Sequence, residues 1–247
     1  MITKSEVKYI QSLGHKKFRD ELNQFVAEGP KIVIELLNSP AILPKALYAT
    51  SEWWRNNSTL RQSLSPEMAV EVKEQELERI SSLTTPNQVL GVFHKMKQPP
   101  NPSLQSRVSL MLDGIQDPGN MGTLVRLADW FGIGYIIAGI ESADVYNPKV
   151  VQATMGSIAR VQVLYRELSP FIRDCGAVPV YATTLDGAPL ASYPKIKEGI
   201  VLIGNESKGI HPDLIAVATH KITIPRFGGA ESLNAGVAAG IVLSHLL

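Results

Sequence analysis

Cysteine is almost missing from this chain of 247 residues, where Cys175 stands alone. A single thiol excludes an intramolecular disulfide and fits a reducing compartment. At an expected helix end, FIRDCG, it reads as buried filler rather than a nucleophile. An excess of one charge is missing too. A net charge of +1 makes no electrostatic case for a polyanion partner. The first 100 residues, with 13 Lys and Arg against 11 Asp and Glu, change this little. A nucleic acid would have to be met by local patches such as His15, Lys16, Lys17 and Arg19, which read equally well as a solvated helix face. No apolar stretch reaches the roughly 18 residues of a membrane span, and no basic-then-apolar leader is seen. The expectation is a cytoplasmic protein. The glycine loops of common nucleotide chemistries are also absent: no G-x-G-x-x-G follows the strand Val108–Leu112, and no G-x-x-x-x-G-K-[ST] occurs. The five histidines, His15, His94, His211, His220 and His245, form no H-x-x-x-H pair, so no metal is expected. There is no G-x-S-x-G elbow, no internal repeat and no low-complexity segment.

What is present describes a globular chain, with 45% hydrophobic and 19% charged residues, long enough for one large domain or two ordinary ones. The proline-rich segment 97–107, KQPPNPSLQSR, marks a semi-rigid linker. It divides an N-terminal domain, residues 1–97, from a C-terminal domain, residues 107–247, with 98–106 between them. In the first domain the apolar spacing of Val7, Ile10, Leu13, Phe18, Leu22 and Phe25 predicts helix over 5–27. Gly29-Pro30 punctuates, and a second helix covers 31–37. Short strands are expected at 46–49, 68–72 and 89–93, with a helix at 74–83. In the second domain strands are expected at 108–112, 135–138, 161–164, 178–183, 200–203 and 222–224. Helices are expected at 121–131, 148–158, 169–175, 211–217 and 234–246. Near-continuous apolar strands alternating with helices predict a mostly parallel α/β sheet covered on both faces.

Three polar clusters follow predicted strands, at the ends where open parallel sheets bind ligands. The first holds Asn120, Gly122 and Arg126 around one helix start. The second is Gly204-Asn205-Glu206-Ser207-Lys208-Gly209. The third is PRFGGAESLN, residues 225–234. Singly, each has a plain structural reading: turn glycines, a solvated Glu206, a surface Arg126, and Ser232 or Asn234 as N-cap of the last helix. Together, three glycine-bearing loops at one sheet end build a pocket that backbone groups can line closely. The last helix is apolar nearly all round and reads as buried, with Gly236 and Gly240 admitting a close neighbour.

LDGIQDPGNMGTLVRLADWFGI, IVLIGNESKGI and ITIPRFGGAESLNAGVAAGIVLSHLL resemble, in order and spacing, the three motifs of the SpoU/TrmH RNA ribose 2'-O-methyltransferases of the SPOUT superfamily. YNPKVVQATMGSIARVQV resembles the segment that connects them. FVAEGPKIVIELL and LTTPNQVLGVF are similar, more weakly, to the family's substrate-binding domain, which looks like RNA-binding ribosomal proteins. The second motif departs from the commoner GNEG in having Ser207 and Lys208 before Gly209. The resemblance implies a mostly parallel sheet with a C-terminal trefoil knot, a rarity among folds, and a homodimer with the cofactor pocket near its interface. It also implies S-adenosyl-L-methionine held around Gly204, Ile224 and Leu233, with Thr183, Thr184, Asn205 and Pro225 beside it. Asn120, Arg126, Glu206, Ser232 and Asn234 would form the catalytic and RNA-facing set.

Methyl transfer to a ribose hydroxyl needs alignment and removal of a proton. By the resemblance Arg126 serves as general base, which its basicity makes difficult; the physically easier role is the cation that holds the adjacent phosphate and the developing alkoxide. Both roles stay open. The two-domain layout resembles the rRNA-modifying branch, so rRNA is the expected substrate and tRNA the alternative. A catalytically silent RNA-binding assembly factor and a nucleotide-dependent small-molecule enzyme are the competing classes. Intact Arg126, Glu206 and Asn234 argue against the first, and the missing phosphate loops against the second.

Overall fold

The computed structural model describes residues 2–99 and 102–247. Pro100 and Asn101 of the expected linker lie outside them. The chain forms two compact units, Met1–Lys97 with Asp144–Ala159, and Gln98–Ala143 with Arg160–Leu247. The expected contiguous division at 97 thus omits a segment of the later half that packs with the first unit. The anchor is chemical: Arg19, 2% exposed, gives Asp144 Oδ2 hydrogen bonds of 3.0 Å from Nε and 2.6 Å from Nη2. It also donates to the carbonyls of Leu13 and Gly14. Arg19 therefore does not belong to the solvated basic face expected around Lys16 and Lys17.

The first unit contains α1 (Lys4–Ser12), α2 (Lys16–Leu22), β1 (Gln24–Glu28), α3 (Pro30–Leu37), β2 (Pro44–Ala49), α4 (Ser51–Asn56), α5 (Ser58–Ser63), β3 (Ala69–Glu71), α6 (Glu74–Ile80) and β4 (Val89–His94). Its sheet has the order β1-β4-β2-β3. The single helix expected over 5–27 is two helices and a strand. Gly14 lies in the turn between the helices, and Asn23, in the left-handed region at φ 53°, ends α2. The spacing misled because Phe18 and Leu22 point to solvent, while Phe25 is buried in a strand. The α4–α5 pair, which buries Trp53 and Trp54, was not expected.

The second unit contains β5 (Val108–Asp113), α7 (Pro118–Trp130), β6 (Tyr135–Gly139), β7 (Gln162–Arg166), α9 (Leu168–Asp174), β8 (Val180–Pro189), β9 (Gly199–Gly204), α10 (Pro212–Val217), β10 (His220–Thr223) and α11 (Ala235–Leu246); α8 (Pro148–Thr154) belongs with the first unit. The helix expected over 148–158 stops at Thr154, because Met155 and Gly156 both take positive φ and a 3-10 turn follows. The six strands run parallel in the order β10-β8-β9-β5-β6-β7. After β5 the chain builds outward through β6 and β7, then returns on the other side. The reversal lies between β5 and β9, where Asp113 pairs with Gly204, and such a switch point opens a crevice at the carboxyl ends of the strands. The central strands are buried on both faces, as parallel sheets require. Leu104 of the expected linker is buried in this core. Cys175 is half-buried just after α9, and burial raises its thiol pKa above the ordinary range.

Candidate active site

Asp117 and Pro118 open α7. The Asp117 side chain accepts from Asn120 N–H at 2.8 Å, and proline suits a first helical position, whose N–H is unpaired anyway. This capping sets Asn120 on the first turn, aimed at the loop after β9. That loop is a tight arch: Asn205 and Gly209 exchange backbone hydrogen bonds, and Asn205 Oδ1 accepts from the N–H groups of Ser207 and Lys208. Asn205 Nδ2 donates to Gly114 O at 2.7 Å, and His211 N–H donates to Asp113 Oδ2 at 2.6 Å, so the loops after β5 and β9 are sewn together. Gly204 is obligatory here, because a Cβ would stand 2.6 Å from Ile210 N.

The three expected motifs meet in a chain of side-chain amides. Asn120 Nδ2 donates to Glu206 Oε1, and Asn234 Nδ2 donates to Asn120 Oδ1 at 2.7 Å. Asn234 Oδ1 accepts from Gly236 and Val237 N–H, capping α11. The order cannot be reversed. Helix N–H groups only donate and an ionised carboxylate only accepts, so both amides between them have one permitted orientation. The negative end lies at the first turn of α7, where the helix favours an anion. Asn234 is therefore the cap, and Ser232 is exposed at the rim.

Beside this relay is a cavity of about 750 Å³, within the usual range for small-molecule sites. All seven residues expected to hold the cofactor line it: Thr183, Thr184, Gly204, Asn205, Ile224, Pro225 and Leu233. Glu206 and Ser232 line it as well. Its floor is apolar, from Ile203, Ile222, Ala238 and Val242. Thr183 Oγ1 is committed to Leu202 O at 2.9 Å, whereas Thr184 Oγ1 is buried without a partner among the described residues. Arg126 is not brought to this cavity. It is exposed on α7 and, among the described residues, has no hydrogen-bond or ion-pair partner. The sequence reading missed Leu185 and Asp186, which also line the cavity, and gave no role of their own to Arg226, Phe227 and Glu231 of the third cluster, which line it too. The signal for Leu185 and Asp186 was adjacency, since they directly follow Thr183 and Thr184. Among the described residues no group of acidic, His and Cys side chains could hold a metal ion.

The SpoU rRNA methylase family matches residues 107–244, and the MRM3-like substrate binding domain matches residues 4–91. The chain is 33% identical to the 23S rRNA (guanosine(2553)-2'-O)-methyltransferase RlmP of Bacillus subtilis, over 98% of this chain and 95% of that protein. Among solved structures, an AdoMet-bound rRNA methyltransferase from Sinorhizobium meliloti superposes with a TM-score of 0.88 at 32% identity, covering 100% of this chain and 95% of the other. A TrmH-family protein from Porphyromonas gingivalis gives 0.85 at 37% identity, covering 100% and 98%.

Proposed function

The chain belongs to the SpoU rRNA methylase family, and on that premise we propose that it transfers a methyl group from S-adenosyl-L-methionine to a ribose 2'-hydroxyl of ribosomal RNA. The observation that carries the reading is the Asn234–Asn120–Glu206 relay beside a cavity of cofactor size.

The cavity suits an amphipathic cofactor. Its apolar floor suits an adenine, its backbone-rich loops offer N–H and C=O groups, and the orphan hydroxyl of Thr184 is one polar group still seeking a partner. Gly204, Asn205, Ile224, Pro225 and Leu233 would hold the cofactor, with Thr183 and Thr184 behind it. Bound there, it supplies an electrophilic methyl group. The chain does the rest. Asn120 fixes one oxygen of Glu206, leaving the other to accept a hydrogen bond from a ribose hydroxyl. Arg126, its donors uncommitted among the described residues, takes the adjacent phosphate and the charge that develops on the 2'-oxygen.

The same reading includes a homodimer. The last helix is not buried all round: Val237 and Ile241 of α11 and Trp130 of α7 are exposed. The two helices pack closely because Gly236 and Gly240 face Thr123 and Leu127. A second copy would cover this apolar face. The reading also includes the trefoil knot that the family resemblance implies. No helix among the described residues is long and apolar enough to cross a membrane. A cytoplasmic site of action belongs with the rRNA substrate, and the N-terminal unit is assigned to RNA recruitment.

The test is transfer of radiolabelled methyl from S-adenosyl-L-methionine to 23S rRNA and to tRNA, both from a host lacking the gene, followed by mapping. Label at a ribose 2'-oxygen of rRNA is expected. Label in tRNA alone would move the substrate, and cofactor binding without label in either RNA would favour the silent assembly factor.

A further inference from the structure

We propose that Phe227, at the tip of the loop between β10 and α11, is a stacking platform for an unpaired base of the RNA substrate, at or beside the nucleotide that is methylated. The inference rests on the methyltransferase reading and extends it to how the substrate is seated. Phe227 is 98% exposed, although it lines the same cavity as Glu206 and Ser232. Leaving a phenylalanine in water forgoes about 1.5–3 kcal/mol of burial, so the fold gains nothing from this side chain where it stands. Leu185, 80% exposed, is a second apolar side chain on the cavity wall. The loop is shaped rather than loose at its base: Arg226 Nη1 donates to Ala230 O at 3.2 Å. This bond closes a short arch with Phe227 on it, followed by Gly228 and Gly229, where an added Cβ would meet nothing.

Charge explains why stacking is needed here. Lys208 and Arg226 line the cavity, but so do Asp186, Glu206 and Glu231. A rim with three carboxylates against two cations, on a chain of net charge +1, does not hold a phosphodiester backbone by electrostatics alone. RNA is read chiefly where its bases are splayed out and stacked on aromatic rings, and that contact is indifferent to charge. An exposed ring at the mouth of the transfer site provides it, and the spare N–H groups of Arg226 beside it suit the flanking phosphate.

The experiment compares wild type, Phe227→Ala and Phe227→Trp, with 23S rRNA from a host lacking the gene as probe. Methyl-transfer kinetics, calorimetric cofactor binding and filter binding of the same rRNA are the readouts. The expected result for Phe227→Ala is a KM for rRNA raised about tenfold or more, the size of one base–aromatic stack. The dissociation constant of S-adenosyl-L-methionine should be unchanged, kcat little altered, and Phe227→Trp should restore KM. Unchanged KM overturns the proposal. So does weakened cofactor binding, which would make Phe227 a cover for the cofactor, or a change in sedimenting mass, which would make it a contact between copies. If wild type transfers no methyl to any RNA, the enzymatic reading fails by itself. Filter binding then decides the platform: weaker retention by Phe227→Ala sustains it and equal retention overturns it.

Discussion

Two polar side chains six positions apart on α7 treat their hydrogen bonds in opposite ways. Asn120 has a donor committed to Glu206 and an acceptor committed to Asn234, while Arg126 has no hydrogen-bond or ion-pair partner among the described residues. Their substitutions should therefore differ in kind. Arg126→Ala removes an exposed cation, so thermal stability should stay within about 0.5 kcal/mol. Cofactor binding should persist while methyl transfer falls by roughly 10²-fold or more, as when one group that stabilises developing charge is lost. Asn120→Ala leaves Glu206 without the donor that aims it, and strips an acceptor from Asn234. A misplacement of about 1 Å costs on the order of 10²-fold in rate, and here part of the loss should reappear as lower thermal stability, because the cap of α11 loosens too. Parallel measurement of kcat, cofactor affinity and melting temperature separates the two. If Arg126→Ala abolished cofactor binding with the fold intact, this division of labour would be wrong. Asn120, Glu206 and Asn234 were legible because motif order brought them to one sheet end. The relay itself was not, because it depends on which loop leans on which. Phe227 was passed over because nothing in the sequence says whether an aromatic in a loop turns inward or outward.

At the scale of the element, glycines mark where chain crosses chain. Gly204 and Gly209 flank the same arch yet are held for different reasons. At Gly204 a Cβ would meet the backbone near Ile210, which cannot yield as a side chain tip can. At Gly209 there is space, but φ is +69°. Gly209→Ala should cost about 1–2 kcal/mol, the strain of one residue held in that region. Gly204→Ala should cost more and weaken cofactor binding, because the arch must open to admit the methyl group; calorimetry and thermal melts report both. Similar substitutions with similar cofactor affinities would refute the distinction. Arg19 makes the complementary case in the first unit. Arg19→Ala leaves Asp144 a nearly buried carboxylate without its partner, a loss of about 3–5 kcal/mol, to be read as an early unfolding transition. Regular alternation made the second unit's strands legible, since apolar runs between helices leave few options. The first unit was harder. Three- and four-residue spacing continued by chance from α2 into β1, and the positive φ at Asn23 that breaks it is a decision of the fold. That residues 144–159 pack with the first unit rests on the Arg19–Asp144 ion pair, the Phe25–Tyr146 ring contact and the Ser39–Ala159 hydrogen bond, and Arg19 looked like any surface cation in a basic run.

At the scale of the whole molecule, the exposed face of α7 and α11 is the feature that the single chain leaves unresolved. Trp130 is 84% exposed, and Arg126 lies one helical turn before it, so the two side chains share a face. Val237 and Ile241 continue the apolar surface on α11. A second copy laid on this face by a twofold axis would bury the same patch from both chains, as isologous dimers do. It would also enclose Arg126 in surroundings where water screens its charge less, which strengthens its hold on a phosphate. Arg126 is outside the cavity of its own chain, so its usefulness and the dimer are one question. Ile241→Glu places a carboxylate in the middle of the patch, twice per dimer, at a position already partly solvated in the single chain. It should therefore separate the copies without unfolding either. Sedimentation should show wild type at twice the chain mass and Ile241→Glu at the chain mass. The separated chain should bind S-adenosyl-L-methionine nearly as before, since every expected cofactor contact lies within one chain, but its methyl transfer should fall as far as that of Arg126→Ala. A monomer with full activity would place Arg126 at the reaction without help from a second copy, and the apolar face would then need another occupant.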